Sequence, residues 1–194
     1  MTLTIDTLTN WMNNFADKVE ANKQYLSDLD TPIGDGDHGF NMSRGMKAVR
    51  EKLTTKPADL QAGFKNIAMA LISTVGGASG PLYGTAFLEM AKKSSSTDNL
   101  GELLEAALAG IQKRGGAKLG DKTMVDVWTE LVPKVKAGNL SEDEIHKAVE
   151  STKDMVAKKG RASYLGERSK GHIDPGSESS GYLFEALLET EGLL

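Results

Sequence analysis

The sequence predicts an all-α protein, and three observations support that fold class. Helix-favouring residues outnumber β-branched ones, with 22 Leu and 19 Ala against 9 Val and 7 Ile. Apolar residues recur at helical spacing through most of the chain, as in the set Leu100, Leu103, Leu104, Ala107, Leu108 and Ile111. No stretch shows the alternation of polar and apolar residues that is typical of a strand between two turns.

Eight helices are predicted from this periodicity and from the turns that separate the periodic stretches. They span about residues 4–28, 37–54, 58–75, 80–95, 99–114, 121–137, 141–159 and 176–192. Residues suited to the N-cap position begin several of them, namely Asp37, Asp59, Asn99, Asp121 and Ser141. Pro133 lies inside the sixth helix and should kink or end it, because proline has no backbone N–H. No repeat or linker divides the chain, so residues 1–194 are expected to form a single domain.

Composition and charge exclude several classes of protein. The chain has no Cys, which excludes a disulfide scaffold, a Cys-ligated zinc site, an iron–sulfur cluster and a thiol nucleophile. Lys and Arg number 23 against 27 Asp and Glu, whereas a nucleic-acid-binding domain is usually basic. No apolar run approaches the ~20 residues that span a bilayer, and the N-terminus lacks a signal-peptide pattern. We therefore expect a cytoplasmic protein that binds neither nucleic acid nor membrane.

Glycine is concentrated in alternate connections between the predicted helices. Of the 21 Gly, 13 fall in the first, third, fifth and seventh connections. In an antiparallel up-and-down bundle these connections all lie at one end, together with the N-termini of helices two, four, six and eight. Helix N-termini carry partial positive charge and free N–H groups. The sequence therefore predicts an anion site, such as a phosphate site, at that end, although glycine also ends helices without such a role.

The first odd connection contains the densest group of candidate ligands. The segment from Asp30 to Asn41 formally contains G-x-G-x-x-G, but a helix precedes it and two Asp lie inside it, which argues against a dinucleotide fingerprint. An EF-hand loop is disfavoured because Met46 stands where its bidentate Glu would be. Two hypotheses remain: a Mg²⁺ site built from the carboxylates of Asp30, Asp35 and Asp37, or an Asp-Gly turn with solvated charges.

Two further segments add candidate phosphate ligands. If a metal binds in the first connection, the N–H groups of residues 38–41 are expected to hold the phosphate oxygens bridged to it. Residues 76–80, Gly-Gly-Ala-Ser-Gly, form a second candidate cradle to which the Ser79 hydroxyl adds a donor, although the same residues suit an ordinary tight turn. A Walker A loop is rejected, because Asp121 is inserted before Lys122 and no strand precedes the motif.

The seventh connection is basic within an acidic protein. Residues 158–170 carry Lys158, Lys159, Arg161, Arg168 and Lys170 against a single acidic residue, Glu167. One interpretation is a solvated charged loop. The other is an arginine that reaches a transferred phosphoryl group, since a long loop inside a domain is often functional.

Four motifs, one in each odd connection, closely resemble the nucleotide-binding (L-type) subunits of bacterial dihydroxyacetone kinase. They are Gly-Asp-Gly-Asp-His-Gly with the preceding Asp30, Gly-Gly-Ala-Ser-Gly-Pro-Leu-Tyr-Gly, Gly-Asp-Lys-Thr-Met-x-Asp-Val-Trp, and the run from Lys159 to Gly176. The resemblance covers essentially the whole chain. It implies an eight-helix antiparallel up-and-down barrel with the nucleotide bound at one rim.

The resemblance also implies roles for residues of this chain. Asp30, Asp35 and Asp37 match carboxylates that hold two Mg²⁺ ions. Arg161 matches an arginine near the phosphates and is our candidate catalytic residue. The implied cofactor is ADP, with ATP formed transiently. The implied nucleotide contacts are His38, Gly39, Phe40, Asn41, Ala78, Ser79 and Arg161 at the phosphates, Gly115 and Met124 at the adenine, and the turn Asp174, Pro175 and Gly176.

Members of this family transfer a phosphoryl group to dihydroxyacetone bound on a separate K-type subunit, so the resemblance implies that this chain acts in a complex. In one branch ATP is consumed. In the other branch, bound ADP is rephosphorylated by a phosphohistidine protein of the phosphotransferase system. His38, where many ATP-type relatives have Thr, resembles the second branch. A non-catalytic helical adaptor and an all-α Mg²⁺-dependent nucleotide hydrolase are the alternatives from other classes.

Overall fold

All of residues 1–194 are described by the structure, a computed structural model that contains eight α-helices, one 3₁₀ helix and no strand. The α-helices are α1 (Ile5–Asp30), α2 (His38–Leu53), α3 (Leu60–Thr74), α4 (Ser79–Lys93), α5 (Leu100–Gly115), α6 (Met124–Ala137), α7 (Glu142–Glu150) and α8 (Pro175–Leu188). The 3₁₀ helix, Arg161–Ser169, lies between α7 and α8. The all-α prediction is therefore confirmed.

The eight helices form a closed ring in chain order. Each helix packs against the next one along the chain, and α8 closes the ring by packing against α1. Because α7 is short, α6 and α8 also touch. Short connections between packed neighbours make consecutive helices antiparallel, and the first residues of α2, α4, α6 and α8 line one cleft. The predicted eight-helix up-and-down barrel is confirmed.

One apolar core of 46 buried residues fills the barrel. The ring centroids of Trp11 and Phe87 lie 6.5 Å apart, and Trp128 meets Phe184 edge-on at 5.3 Å, geometries that aromatic pairs favour. All eight α-helices contribute residues to this core, so it holds every helix in place around the cleft. None of the helices combines the length and the apolar character needed to cross a bilayer.

Helix starts follow local capping chemistry, with one correction. Asp59 and Asn99 each accept a hydrogen bond from the N–H three residues ahead, as predicted. The predicted cap Asp121 is wrong, because Thr123 occupies the N-cap position of α6. The Asp126 carboxylate accepts a hydrogen bond from the Thr123 N–H at 2.7 Å, which completes a capping box. This box places the N-cap of α6 at residue 123, two residues after the predicted cap Asp121.

The end of α7 differs most from the prediction. The helix stops at Glu150 instead of near residue 159. Beyond the helix, the carbonyl of Thr152 accepts from the Met155 N–H at 3.2 Å and from Lys122 Nζ at 2.7 Å. The carbonyl of Lys153 accepts from the Gly171 N–H at 2.8 Å and from Lys122 Nζ at 3.3 Å. Contacts with distant residues therefore hold the non-helical segment that follows α7. Part of the predicted seventh loop is in turn helical, since it contains the 3₁₀ helix.

Pro133 does not end α6. The helix continues through it to Ala137, and Gly138 in the left-handed conformation then ends it with φ of 69°. Pro133 is exposed to solvent, where the backbone carbonyl that it leaves without a helical partner can bind water. Of the two predicted effects of this proline, a kink or an end, the structure therefore contradicts the end of the helix.

Candidate functional site

A cleft of about 310 Å³ opens at the rim where α2, α4, α6 and α8 begin. The structure therefore confirms that the four odd connections meet at one end. The predicted site residues in the cleft are Asp30, Asp35, Asp37, His38, Asn41, Ala78, Ser79, Met124, Arg161, Asp174, Pro175 and Gly176. Gly115 lines an adjoining cavity, and Gly39 and Phe40 line neither.

Three carboxylates, those of Asp30, Asp35 and Asp37, lie on one side of the cleft. One oxygen of each lies within 4.8 Å of the others. Asp30 is the last residue of α1, and its Oδ2 accepts the N–H of Asp37 at 3.1 Å, which folds the loop back onto the helix. Gly34 is required in this turn, because a Cβ there would lie 1.9 Å from Asp30 Oδ1. Asp37 is at the predicted N-cap position of α2 but makes no capping bond, so its carboxylate is available to a ligand.

The carboxylate cluster has the donor set of a hard divalent cation. Oxygen ligands without His or Cys match Mg²⁺ rather than zinc. Carboxylates this close repel one another unless a positive charge neutralises them. Within the chain the Arg161 guanidinium provides that charge by pairing with Asp35. The cluster therefore fits Mg²⁺, and Asp35 is shared between the candidate metal site and Arg161.

The basic seventh connection contributes cationic groups to the cleft. Arg161 begins the 3₁₀ helix directly after Gly160, whose φ of 62° is strained for any residue with a side chain. Its side chain is 69% exposed and can exchange partners. Lys159 lines the cleft as well, whereas Arg168 and Lys170 lie outside it. Two of the five basic residues thus face the site.

The two candidate phosphate segments differ in whether their backbone N–H groups already have hydrogen-bond acceptors within the chain. At the start of α2, the His38 N–H donates to Asp30 Oδ2 at 3.3 Å and the Gly39 N–H donates to Ser27 Oγ at 3.1 Å. The N–H groups of residues 76–79 donate to no group of the chain. The free backbone donors therefore lie at residues 76–79, the second predicted cradle, whereas in the first predicted segment the N–H groups of His38, Gly39 and Asn41 donate within the chain.

Asn41 adds an amide donor beside residues 76–79. Arg44 Nη2 donates to Asn41 Oδ1 at 2.6 Å, and Arg44 Nε donates to the carbonyl of Thr74 at 2.7 Å. The occupied Oδ1 leaves the Asn41 Nδ2 to donate to a ligand. A Cβ at Gly76 would lie 3.0 Å from that nitrogen, so the loop passes close to it. Sequence reasoning missed Arg44, although its position three residues after Asn41 on one helix face was a usable signal.

His38 is buried between two serine hydroxyls. Its Nδ1 lies 3.2 Å from Ser79 Oγ at the start of α4, and its Nε2 lies 2.9 Å from Ser179 Oγ in α8. Burial lowers the pKa of His38 to about 4, against the opposing effect of the neighbouring carboxylates. The neutral imidazole therefore faces the cleft through the Ser79 hydroxyl.

Lys122 lines the cleft although its motif does not form a Walker A loop. The residue is 1% exposed and has φ of 60°. Its Nζ donates to the carbonyls of Thr152, Lys153 and His172, and burial lowers its pKa. The ammonium thus joins the start of α6 to both ends of the seventh connection. Sequence reasoning missed this role, because the acceptors are backbone carbonyls 30 to 50 residues away.

Asp174 forms the floor of the cleft at the start of α8. Its Oδ2 accepts the Ser177 N–H at 2.7 Å, and Pro175 follows at the first helical position. Burial raises the pKa of Asp174 to about 6. Gly176 lies against the same carboxylate, since a Cβ there would be 3.2 Å from Asp174 Oδ2. The turn is therefore held rigidly beside the carboxylate cluster.

An adjoining cavity of about 220 Å³ extends the cleft between α4, α5 and α6. Ala78, Leu82 and Met124 line both spaces, while Gly115 and Ile111 line only the cavity. Small and apolar groups of this kind suit a flat aromatic ring such as a nucleobase. Gly115 and Met124, the residues expected at the adenine, therefore lie together.

Gly39 and Phe40 point away from the cleft. A Cβ at Gly39 would lie 1.8 Å from the Lys23 carbonyl oxygen, so Gly39 forms the contact between α1 and α2. Phe40 is 47% exposed. The structure provides no ligand contact for these two residues within the cleft or the cavity.

Fold and cleft together define an all-α barrel protein with a candidate divalent-cation and anion site at one rim. A family model described as the DAK2 domain matches residues 32–189. The chain belongs to this DAK2 domain family.

Relatives of nearly full length are similar to this chain. The "PTS-dependent dihydroxyacetone kinase, ADP-binding subunit DhaL" of Lactococcus lactis is 53% identical over 96% of this chain and 98% of its own length. The "PEP-dependent dihydroxyacetone kinase 1, ADP-binding subunit DhaL" of Listeria innocua is 52% identical over 98% and 99%. The "PEP-dependent dihydroxyacetone kinase, ADP-binding subunit DhaL" of Escherichia coli is 42% identical over 96% and 97%. The resemblance drawn from the four motifs is confirmed.

Two solved structures have the same fold. The native dihydroxyacetone kinase of C. freundii matches with a TM-score of 0.77 and 24% identity over 95% of this chain. The same kinase in complex with AMP-PNP and Mg²⁺ matches with a TM-score of 0.78 and 23% identity over 98% of this chain. This chain spans 34 to 35% of the length of those kinase chains, so it corresponds to one part of them.

Proposed function

We propose that this chain is the phosphoryl-transfer subunit of a dihydroxyacetone kinase. It holds ADP, and transiently ATP, with two Mg²⁺ ions, and it passes the phosphoryl group to dihydroxyacetone bound on a separate K-type subunit. A phosphohistidine protein of the phosphotransferase system rephosphorylates the bound ADP. The names of the three relatives at 42 to 53% identity, ADP-binding subunits of PTS- or PEP-dependent kinases, support this proposal.

One observation carries the proposal: a single cleft joins the three kinds of surface that a magnesium nucleotide needs. The carboxylates of Asp30, Asp35 and Asp37 suit the metal. The free N–H groups of residues 76–79 suit phosphate oxygens. The adjoining apolar cavity suits the base. The carboxylates, the free N–H groups and the apolar cavity follow one another along the cleft in the same order as the metal, the phosphates and the base of a magnesium nucleotide.

The residues of the cleft have distinct proposed roles. When bound, the metal ions neutralise charge on the phosphates during phosphoryl transfer. Asn41 and Ser79 donate hydrogen bonds to phosphate oxygens. Arg161 pairs with Asp35 in the structure. Asp30, Asp35 and Asp37 would hold a cation that supplies the positive charge Asp35 now takes from the guanidinium. Arg161 would then be available to stabilise the negative charge of the transferred phosphoryl group.

The transfer breaks the bond between the terminal phosphorus and its bridging oxygen, which stays with ADP, and forms a bond to a hydroxyl oxygen of dihydroxyacetone, whose proton passes to solvent or to a base of the K-type subunit. The proposal requires two partners, the K-type subunit and the phosphohistidine protein, and places the complex in the cytoplasm. Fractionation of cells that produce the chain checks that location.

A reconstitution experiment tests the proposal. The chain is mixed with a K-type subunit and dihydroxyacetone, and receives either ATP alone or a phosphohistidine donor with a catalytic amount of ADP. We expect phosphorylated dihydroxyacetone only from the phosphohistidine donor. Product formed stoichiometrically from ATP would instead favour the ATP-consuming branch. Phosphate released without dihydroxyacetone would favour a hydrolase, and no phosphoryl transfer at all would favour an adaptor.

Binding by single variants provides an independent test. Asp35→Asn removes one carboxylate of the cluster and should reduce the affinity for MgADP at least tenfold, as measured by calorimetry. Asp28→Asn is the matched control, because Asp28 is exposed and contacts only Gln24 of the same helix. Equal affinity in the two variants would contradict the proposed metal site.

A further inference from the structure

A chain of buried hydrogen-bonding groups runs from the barrel core toward the cleft. Trp128 Nε1 lies 3.0 Å from Ser180 Oγ, Ser180 Oγ lies 3.0 Å from Tyr83 OH, and Tyr83 OH lies 2.8 Å from Ser179 Oγ. All four side chains are fully buried. We call Trp128, Ser180, Tyr83 and Ser179 the core-to-cleft chain.

The direction of these hydrogen bonds is set at the core end. An indole N–H can only donate, so Ser180 Oγ accepts from Trp128 and has its own proton left to donate. The partner available for that proton is Tyr83, whose hydroxyl therefore donates onward to Ser179. A buried hydroxyl must use its proton, so this order leaves none of the three hydroxyls unsatisfied.

The hydrogen bond that Ser179 accepts from Tyr83 determines how Ser179 bonds to His38. Its hydroxyl can donate to His38 Nε2 at 2.9 Å or to the Gly176 carbonyl at 3.2 Å. The shorter distance indicates that Ser179 donates to the imidazole. The Gly176 carbonyl lies in the first turn of α8, where it already accepts a helical backbone hydrogen bond. If Nε2 accepts, Nδ1 carries the proton and donates to Ser79 Oγ at 3.2 Å. The Ser79 proton is then free for the cleft.

We propose that the core-to-cleft chain selects the His38 tautomer protonated at Nδ1 and thereby makes Ser79 a hydrogen-bond donor toward phosphate. His38 is in this role a positioning residue. The opposite tautomer would take the Ser79 proton and turn the hydroxyl lone pairs toward the phosphate. A doubly protonated ring would donate to Ser179 as well as to Ser79, which reverses the direction of the Ser179 bond, so protons on both nitrogens would also overturn the proposal. Its link to phosphate rests on the proposed function.

The tautomer can be measured in the full chain without nucleotide. Long-range proton–nitrogen NMR correlations distinguish the two ring nitrogens, and the chain has only 3 His, so His146→Gln and His172→Gln variants assign the signals. We expect a protonated Nδ1 and an unprotonated Nε2 for His38 after removal of metal and nucleotide with a chelator. A ring protonated only at Nε2 would overturn the proposal.

A pair of single-atom variants tests the connection to the cleft. Tyr83→Phe interrupts the core-to-cleft chain, while Tyr182→Phe removes the hydroxyl of another buried tyrosine that bonds to Glu178 instead. We expect Tyr83→Phe to populate the tautomer protonated at Nε2 and to bind MgADP about tenfold more weakly, as for one lost hydrogen bond to a charged group. Tyr182→Phe should match the wild type in both measurements.

The two readouts separate this inference from the proposed function. Unchanged tautomer and affinity in Tyr83→Phe would overturn the inference, and so would weaker binding without a change of tautomer. Failure of the wild type to bind MgADP would overturn the proposed function. The tautomer measured without nucleotide would still decide the direction of the hydrogen bonds.

Discussion

Lys122 illustrates how one buried charge can hold several backbone segments together. Its three ammonium protons match its three acceptors, the carbonyls of Thr152, Lys153 and His172. Since all three protons are used inside the chain, Lys122 contributes positive charge to the cleft but no free donor. Lys122 therefore stabilises the positions of the two ends of the loop that carries Arg161 and Asp174.

Replacing Lys122 by Met should lower the free energy of unfolding by about 3 kcal/mol, because three backbone carbonyls lose a charged donor. Urea denaturation measures this change. Lys118→Met is the control, because Lys118 is exposed and makes no side-chain contact of this kind, and it should change the stability by about 0.5 kcal/mol at most. Equal stability of the two variants would contradict the structural role of Lys122.

Asp174 should make stability depend on pH in an unusual direction. Burial raises its pKa from 3.8 to about 6, so the folded chain binds this proton more tightly than the unfolded chain. Its contribution to stability is therefore complete below pH 3.8 and lost as the pH rises through about 6. His38 acts in the opposite sense over an overlapping range, because its pKa is lowered from 6.5 to about 4.

The Asp174→Asn variant isolates the Asp174 contribution. Asparagine still caps α8 but does not ionise, so the variant should gain stability relative to the wild type as the pH rises from about 4 to about 6. Denaturation of both proteins without nucleotide at several pH values measures the difference. A difference in stability that does not change with pH would show that Asp174 ionises normally in the folded chain.

At the scale of helices, the carboxylate loop depends on how closely α1 and α2 approach. Gly39 lies where the two helices meet, and Asp30 and Asp37 lie at the adjoining helix ends. A side chain at Gly39 would meet a backbone carbonyl, which cannot rotate away. The separation of the two helices, and with it the spacing of two candidate metal ligands, is therefore set by the absence of a side chain at this position.

Gly39→Ala should destabilise the chain by about 3 kcal/mol and weaken MgADP binding, because α2 must move away from α1. Thermal denaturation and calorimetry measure the two effects. Gly63→Ala is the control, since a Cβ there would meet the movable end of the Leu8 side chain at 3.1 Å. If Gly39→Ala behaved like Gly63→Ala, the close approach of α1 and α2 would not be needed.

At the scale of the whole molecule, the ring of eight helices brings four distant connections to one cleft. Residues from 30 to 176 line it, so a ligand bound there contacts the starts of four helices at once. Such a ligand binds only the folded chain. Its binding free energy therefore adds to the stability of the entire barrel.

MgADP at 100 times its dissociation constant should raise the free energy of unfolding by about 2.7 kcal/mol. A thermal-shift measurement with and without chelator checks this expectation, and chelator should abolish the shift. Asp37→Asn should lose the shift as well, whereas Asp98→Asn, at an exposed position away from the cleft, should keep it. A shift that survives both the chelator and Asp37→Asn would exclude the carboxylate cluster as the metal site.

Most of the fold follows from features that are local in the sequence. Apolar spacing locates the helices, and single residues such as Asp59 and Asn99 mark where they begin. The position of glycine in alternate connections predicts that the loops meet at one rim. The three aspartates are predicted as neighbours because only six residues separate the first from the last, a distance that one glycine-containing turn can close.

The tertiary structure decided the details that depend on partners far apart in the chain. His38 meets Ser179 across 141 residues, and Arg161 meets Asp35 across the mouth of the cleft. Lys122 binds two carbonyls of the segment that follows α7, 30 and 31 residues away in the chain. The N–H groups of His38 and Gly39 at the start of α2 donate within the chain, while those of residues 76–79 at the start of α4 donate to no group of the chain. Periodicity and turn chemistry act over a few residues, whereas these contacts exist only once the packed core has set the positions of all eight helices.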